Sequence, residues 1–310
     1  MRIAKLVTPA VLATSFLLAL ALGGCSSDDV ETHPVDTAAA DAKPAHRYVL
    51  SAIDVPDQST EIDGFAMNLD HDDHGSPDNK VGSLIQISEL YLGRSLQRHV
   101  DDELAAGRMN TLVELHSDGF DDQLDVALEL RPGVREDVGL RAAALDGPLM
   151  RIYGRIQGGR FYSQLPGQVW IELAMFSGQP ALAVELIGAR VEGRVGPEGL
   201  TDLRLAGGIT FARFQRDFAP ALHRLVLDRL ATGPDDDDAL ALRQVFDTNK
   251  DGAITLQEFL ASNTIQTIFS PDVDLARDAA LPRFVATPDG TKESLSLGVQ
   301  ISATPLGFGF

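Results

Sequence analysis

Between about residues 111 and 215 the chain alternates apolar and polar side chains with a period of two. Leu124, Val126, Leu128 and Leu130 alternate with Asp125, Ala127, Glu129 and Arg131; Val169, Ile171 and Leu173 alternate with Trp170, Glu172 and Ala174. Leu182, Val184 and Leu186, then Leu203 and Leu205, and finally Leu295, Leu297, Val299 and Ile301 keep the habit. Successive side chains of a strand point to opposite faces, so such runs bury one face as a strand and scatter their apolar residues as a helix. Ser117-Asp118-Gly119, Arg131-Pro132-Gly133, Gly158-Gly159, Ser177-Gly178-Gln179-Pro180 and Gly196-Pro197-Glu198-Gly199 separate the runs as turn signals. One-sided strands joined by short turns predict an antiparallel β-sandwich or open barrel. The runs lack the fixed repeat of a propeller or solenoid.

Two stretches with helical spacing flank this region, giving an α+β class. Residues 83–106 carry Leu84, Ile87, Leu90, Tyr91, Val100 and Leu104, with Gly107 as a stop; residues 217–231 carry Phe218, Leu222, Leu225, Val226 and Leu230. The chain then divides into 47–110 with an Asp-rich loop and helix, a β-rich domain over 111–232, a helical segment over 233–270, and a tail over 271–310. A strand of that tail is expected to complete the β-domain. Gly233-Pro234 and four aspartates, Asp235 to Asp238, open the third segment as a solvated linker.

Residues 247–258 read Asp-Thr-Asn-Lys-Asp-Gly-Ala-Ile-Thr-Leu-Gln-Glu. Asp247, Asn249, Asp251, Thr255 and Glu258 stand at positions 1, 3, 5, 9 and 12, with Gly252 at the sharp turn of position 6. Oxygen donors at this spacing suit Ca²⁺, a hard cation that takes six to eight of them. Asp238 would cap an entering helix lined by Leu242, Val245 and Phe246; Phe259, Leu260, Ile265, Ile268 and Phe269 would line an exit helix. The segment resembles the EF-hand family at every diagnostic position. The resemblance implies side-chain oxygens from Asp247, Asn249 and Asp251, the backbone carbonyl of Ala253, Thr255 directly or through water, and both oxygens of Glu258. Ile254 is the apolar residue that in the family pairs with a second loop. That partner would be residues 70–81 or a second copy of the chain, which would make a homodimer. Three ligand carboxylates fit a weak site, with Kd about 10⁻⁴ to 10⁻³ M.

Residues 70–81 offer a second, less complete loop. Asp70, Asp72, His74, Gly75 and Asp78 fall at positions 1, 3, 5, 6 and 9. The pattern resembles the calcium loops of thrombospondin type 3 repeats and dockerins. It departs from them in having a histidine at position 5 and Val81 where a closing glutamate is expected. His71 and His74 with Asp70 and Asp72 would alternatively suit a transition metal, and a plain exposed turn fits as well.

The first residues carry an address. Arg2 and Lys5 precede an apolar run from about Leu6 to Leu22, followed by Gly23, Gly24 and Cys25. This resembles a bacterial lipoprotein signal. The resemblance implies removal of residues 1–24 and lipidation of Cys25, which would attach the protein to a membrane of the cell envelope. Ser26 after the cysteine favours the outer membrane. Residues 25–46 are small, polar and acidic and read as a flexible tether. Cys25 is the only cysteine, which excludes disulfides, cysteine-ligated zinc and a thiol nucleophile from the body. A net charge of −19 argues against nucleic acid as a partner.

No Gly-x-Ser-x-Gly elbow, phosphate-binding loop or His-Glu-x-x-His occurs. His99, His116 and His223 are scattered and read as surface or structural residues. The expectation is a calcium-binding, lipid-anchored envelope protein with a structural or interaction role, and not an enzyme. The alternative is a β-sandwich carrier for a lipid, sugar or peptide in which calcium is only structural. A single tryptophan, Trp170, weakens a sugar-stacking face.

Overall fold

The structure, a computed structural model, describes residues 34–56, 59–70, 78–83, 85, 96–136, 139–145, 149–174, 180–233, 236–278, 283–286 and 291–306. It is an α+β fold around one large antiparallel sheet of ten strands. The strands are β1 (Ala45–Asp54), β2 (Thr111–His116), β3 (Gln123–Glu136), β4 (Gly139–Ala142), β5 (Ile152–Gln157), β6 (Arg160–Leu165), β7 (Gly167–Leu173), β8 (Leu182–Gly196), β9 (Gly199–Thr210) and β12 (Ser294–Pro305). Their order is β2-β1-β12-β9-β8-β6-β5-β3-β4, with β7 beside β8. Strand β2 also pairs β3, with Glu114 opposite Glu129, so the hydrogen-bonded path from β2 returns to β2. A separate ladder joins β10 (Leu275–Asp278) to β11 (Arg283–Ala286).

The interior is aliphatic. Leu128, Leu130, Ile171, Leu186, Leu203 and Val299 are each fully buried, and each comes from a period-two run; Leu115 and Ile152 are fully buried beside them. The C-terminal strand β12 lies between β1 and β9, so the tail completes the sheet as its alternation predicts. At Gly158-Gly159 both residues have positive φ, 58° and 70°, which a two-residue hairpin between β5 and β6 requires.

Several expectations are corrected. Residues 25–46 are not all tether: Asp36 accepts from the amides of Ala38 and Ala39 and caps α1 (Thr37–Ala42), and β1 begins at Ala45. Residues Val35–Phe310 form one compact unit. Arg131-Pro132-Gly133 is not a turn. Strand β3 runs through it, with Pro132 opposite Thr111 and its carbonyl accepting from Ala143. Leu124 is 47% exposed, because a bulge between Gln123 and Val126 with Asp125 at φ 53° shifts the alternation there.

The helices α2 (Ser59–Phe65) and α3 (Leu96–Ala105) precede β2. Val100 of α3 is buried, and Gly107 at φ 65° follows the helix end. Leu84, Ile87, Leu90 and Tyr91 lie outside the described residues. After β9, Thr210 caps a short helical turn, Phe211–Arg213; a π turn, Phe214–Phe218, leads into α4 (Ala219–Thr232). Then come α5 (Asp237–Phe246), α6 (Leu256–Ala261) and α7 (Asn263–Ile268). No described helix is long and apolar enough to cross a membrane.

Candidate functional site

The segment between α5 and α6 is a helix–loop–helix. The cap of α5 is Asp236 rather than Asp238: its Oδ1 accepts from Ala239 N at 2.8 Å, and its Oδ2 pairs with Arg229 at 2.8 Å. Phe246 turns inward and meets Phe259 of α6 with ring centroids 4.9 Å apart. Val245, expected on the same face, is 39% exposed because it stands one residue off the buried stripe.

Within the loop the oxygens turn back on loop amides. Asp247 Oδ1 and Oδ2 accept from Asp251 N at 3.2 Å and Gly252 N at 2.9 Å. Asn249 Oδ1 accepts from Asp251 N at 2.8 Å, and Asp251 Oδ1 from Ala253 N at 2.8 Å. These bonds need two left-handed residues, Lys250 at φ 61° and Gly252 at φ 88°. A Cβ at Gly252 would meet no atom within 4 Å, so glycine is required there by the backbone and not by crowding. Thr255 caps α6 and completes a capping box with Glu258. Glu258 Oε2 accepts from Thr255 N at 3.0 Å and Thr255 Oγ1 at 2.8 Å. The Thr255 amide, then its hydroxyl, hold the Glu258 carboxyl below its ordinary range, and the charge of Asp251 acts the other way. Asp247, Asn249, Asp251 and Glu258 therefore lie within one twelve-residue stretch, with Asp247 buried, Asn249 and Asp251 exposed in the loop, and Glu258 in the first turn of α6.

Ile254 is buried, and its carbonyl accepts from His223 Nε2 of α4 at 2.7 Å. The His223 ring packs on Phe259 at 5.7 Å. This histidine, read from the sequence as a surface or structural residue, holds the loop from behind. No local signal announces it, because 31 residues separate the two partners.

The 70–81 loop is only partly described; Asp72 and His74 lie outside the described residues. Its two ends are engaged with protein groups. Asp70, 7% exposed, accepts from Asp274 N at 3.0 Å and from Lys292 Nζ at 2.9 Å. Asp78 Oδ2 accepts from Leu69 N at 2.8 Å. Cys25 also lies outside the described residues.

A third polar group was missed by the sequence reading. Arg47 of β1, Glu114 of β2 and Glu129 of β3 stand in register across the sheet, and Arg151 immediately before β5 extends the row. Arg47 Nε lies 3.0 Å from Glu114 Oε1, and Arg151 Nε lies 3.1 Å from Glu129 Oε2. Arg151 also donates to Asp41 of α1 at 2.7 Å. Glu114, His116 and Glu129 are all buried, with one ligand atom from each within 4.8 Å of the others. Glutamates on adjacent period-two runs were visible; the pairing register that joins them was not. Beside the row, Thr37, Asp41, Glu129, Arg151 and Tyr153 help line a cavity of about 440 Å³.

No family model, curated protein or solved structure matches the chain.

Proposed function

We propose that this chain is a calcium-binding protein of the bacterial cell envelope, anchored through lipidated Cys25, with a structural or interaction role and no catalytic one. Residues 247–258 are its ion site, with Asp247, Asn249, Asp251, Ala253, Thr255 and Glu258 as ligands. The observation that carries the reading is the set of loop hydrogen bonds from Asp247, Asn249 and Asp251 to the amides of residues 251–253. They fix the turn that a wrapping loop needs, so less conformational entropy remains to be lost when Ca²⁺ binds. Calcium that binds only the folded chain stabilises it by RT ln(1 + [Ca²⁺]/Kd), about 2.7 kcal/mol at a hundredfold excess over Kd.

The partner that a lone EF-hand loop wants is supplied within the chain. His223 takes the Ile254 carbonyl, which supports a monomer rather than pairing between two copies. The closed pairing path from β2 round to β3 supports an eight-membered barrel rather than two facing sheets as the scaffold. Cys25 with Ser26 after it in the sequence supports attachment to the outer membrane, facing periplasm or exterior. The carrier reading draws on one observation, the cavity beside Arg151, whose volume of about 440 Å³ suits a small ligand. Its Asp41, Glu129 and Arg151 lining favours a polar ligand over a lipid.

Calorimetric titration of Ca²⁺ into the chain from Ser26 onward, with thermal melting, tests the proposal beside Glu258→Gln. Heat and added stability in the parent that vanish in the variant are expected. A parent that shows neither overturns the calcium reading.

A further inference from the structure

We propose that His116, Glu114 and Glu129 form a second metal site on the sheet, for a divalent ion of the Zn²⁺ class, independent of the 247–258 loop. Strand pairing assembles it. Glu114 and Glu129 face each other directly across β2 and β3, and His116 follows two residues after Glu114 on the same face of β2. Two like charges in directly opposed positions repel, and Arg47, Arg131 and Arg151 offset that repulsion from the outer side of the pair.

The unpartnered ring nitrogen of His116 marks where a metal ion would sit. His116 is 6% exposed, and its Nδ1 lies 3.4 Å from the carbonyl of Lys43. A carbonyl only accepts, so Nδ1 is the donor in that contact, and in the neutral ring Nε2 then carries the lone pair. Nε2 is buried without a hydrogen-bond partner, 3.9 Å from Glu114 Oε2. That is too far for a hydrogen bond. It is close to the spacing of two donors on one tetrahedral ion, about 3.3 Å for bonds of 2.0–2.1 Å. An imidazole fixed at Nδ1 by a backbone carbonyl and open at Nε2 is the arrangement that metal-ligating histidines adopt.

The arginines leave room for the ion. Arg47 and Arg131 lie 3.0 and 3.7 Å from Glu114 Oε1, leaving Oε2 turned to His116. Arg131 Nε lies 3.1 Å from Glu129 Oε1 without hydrogen-bond geometry, so a Glu129 that ligates through Oε1 keeps this arginine as its ion-pair neighbour. Arg47 and Arg151 would then orient the ligating carboxylates from outside, as outer partners do. One imidazole with two carboxylates favours Zn²⁺ over Ca²⁺, which takes all-oxygen sets. Three protein ligands leave a fourth position open, and the cavity that Glu129 lines gives an entry path.

The test uses the full chain stripped of metal, titrated with Zn²⁺ in saturating Ca²⁺, with Co²⁺ as a coloured substitute. One Zn²⁺ at micromolar affinity or tighter is expected, with about 100-fold weaker binding in Glu129→Gln and in His116→Gln. Cooperative melting of each variant confirms that it folds. The ring ¹⁵N signals of His116 in the parent give a readout that needs no variant: Nε2 should move on adding Zn²⁺ while Nδ1 stays protonated. A parent that binds no Zn²⁺, an affinity unchanged by either substitution, or an Nε2 that is protonated and indifferent to Zn²⁺ overturns the proposal.

Discussion

Replacing His223 tests whether α4 stands in for a second calcium loop. His223→Leu keeps an apolar side chain of similar bulk and removes the donor to the Ile254 carbonyl, a 2.7 Å bond in a half-buried position. A lost hydrogen bond that strands a partly buried carbonyl costs about 1–2 kcal/mol. Loss of the ring contact with Phe259, centroids 5.7 Å apart, adds about 0.5 kcal/mol after leucine recovers some area. The sum, about 2 kcal/mol, lowers Tm by about 4–8 °C in a body of this size. His223→Gln retains a side-chain N–H and should recover at least half of the loss. Because the carbonyl belongs to loop position 8, Ca²⁺ affinity should also fall in His223→Leu, about fivefold for 1 kcal/mol of coupling. Urea unfolding and calorimetric Ca²⁺ titration measure both effects. A His223→Leu penalty below about 0.5 kcal/mol, or a glutamine variant no better than leucine, refutes the argument.

Other outcomes follow from single contacts. Gly252→Ala should cost about 1–2 kcal/mol, entirely from the left-handed backbone at φ 88°, and should weaken Ca²⁺ binding in the same titration. Gly154→Ala should cost about 3 kcal/mol or more in urea unfolding, because its Cβ would run into the carbonyl of Tyr162 on the paired strand. Asp236→Ala should cost about 1 kcal/mol as a lost helix cap, read from the urea midpoint. Burial pushes the Asp272 carboxyl up, against the lowering effect of its bonds from Ser296. The folded chain therefore holds that proton when the unfolded chain has released it, so this group makes stability fall as pH rises above the ordinary value of about 4. Asp272→Asn should flatten that part of the profile in unfolding curves taken at about pH 4 and about pH 8; a slope that does not change counts against the assignment.

The strands were legible where alternation is uninterrupted, as at Val169–Leu173 and Leu295–Ile301, but the one-sided burial it predicts does not hold there, since Trp170 and Ser296 on the other face are buried too. Legibility failed at Leu124, where a bulge inserts one residue and reverses the faces beyond it. It failed again at Pro132, because a proline can stay in a strand when its missing donor is not needed by the ladder. The residues proposed as loop ligands could be named from sequence because all of them come from one short stretch. The Glu114–His116–Glu129 group and His223 were not, since only the register of β2 against β3 and the docking of α4 on the loop bring those residues together. The first turn of α1 was hidden by composition: an alanine-rich acidic stretch reads as tether until Asp36 caps it and Lys43 reaches the Leu124 carbonyl at 2.7 Å.

The same docking bears on whether calcium would act here as a signal or as a fixture. A sensor loop responds by swinging its helices apart to expose an apolar groove, commonly rich in methionine. In this chain Phe246, Ile254 and Phe259 already belong to the core cluster that contains Leu128 and Leu205 of the sheet. Phe214 of the π turn stacks on Phe269 at 4.2 Å, and Thr210, the last residue of β9, caps the turn that leads into it. Opening the helices would expose several large side chains at about 1.5–3 kcal/mol each, more than one weak calcium ion contributes. Calcium should therefore tighten the existing arrangement. Its stabilisation should appear in the single cooperative melt of the whole body, with unchanged binding of an apolar dye. A separate low-temperature transition for residues 236–270, or dye binding that rises with Ca²⁺, would show the opposite, that the helix–loop–helix moves as a switch.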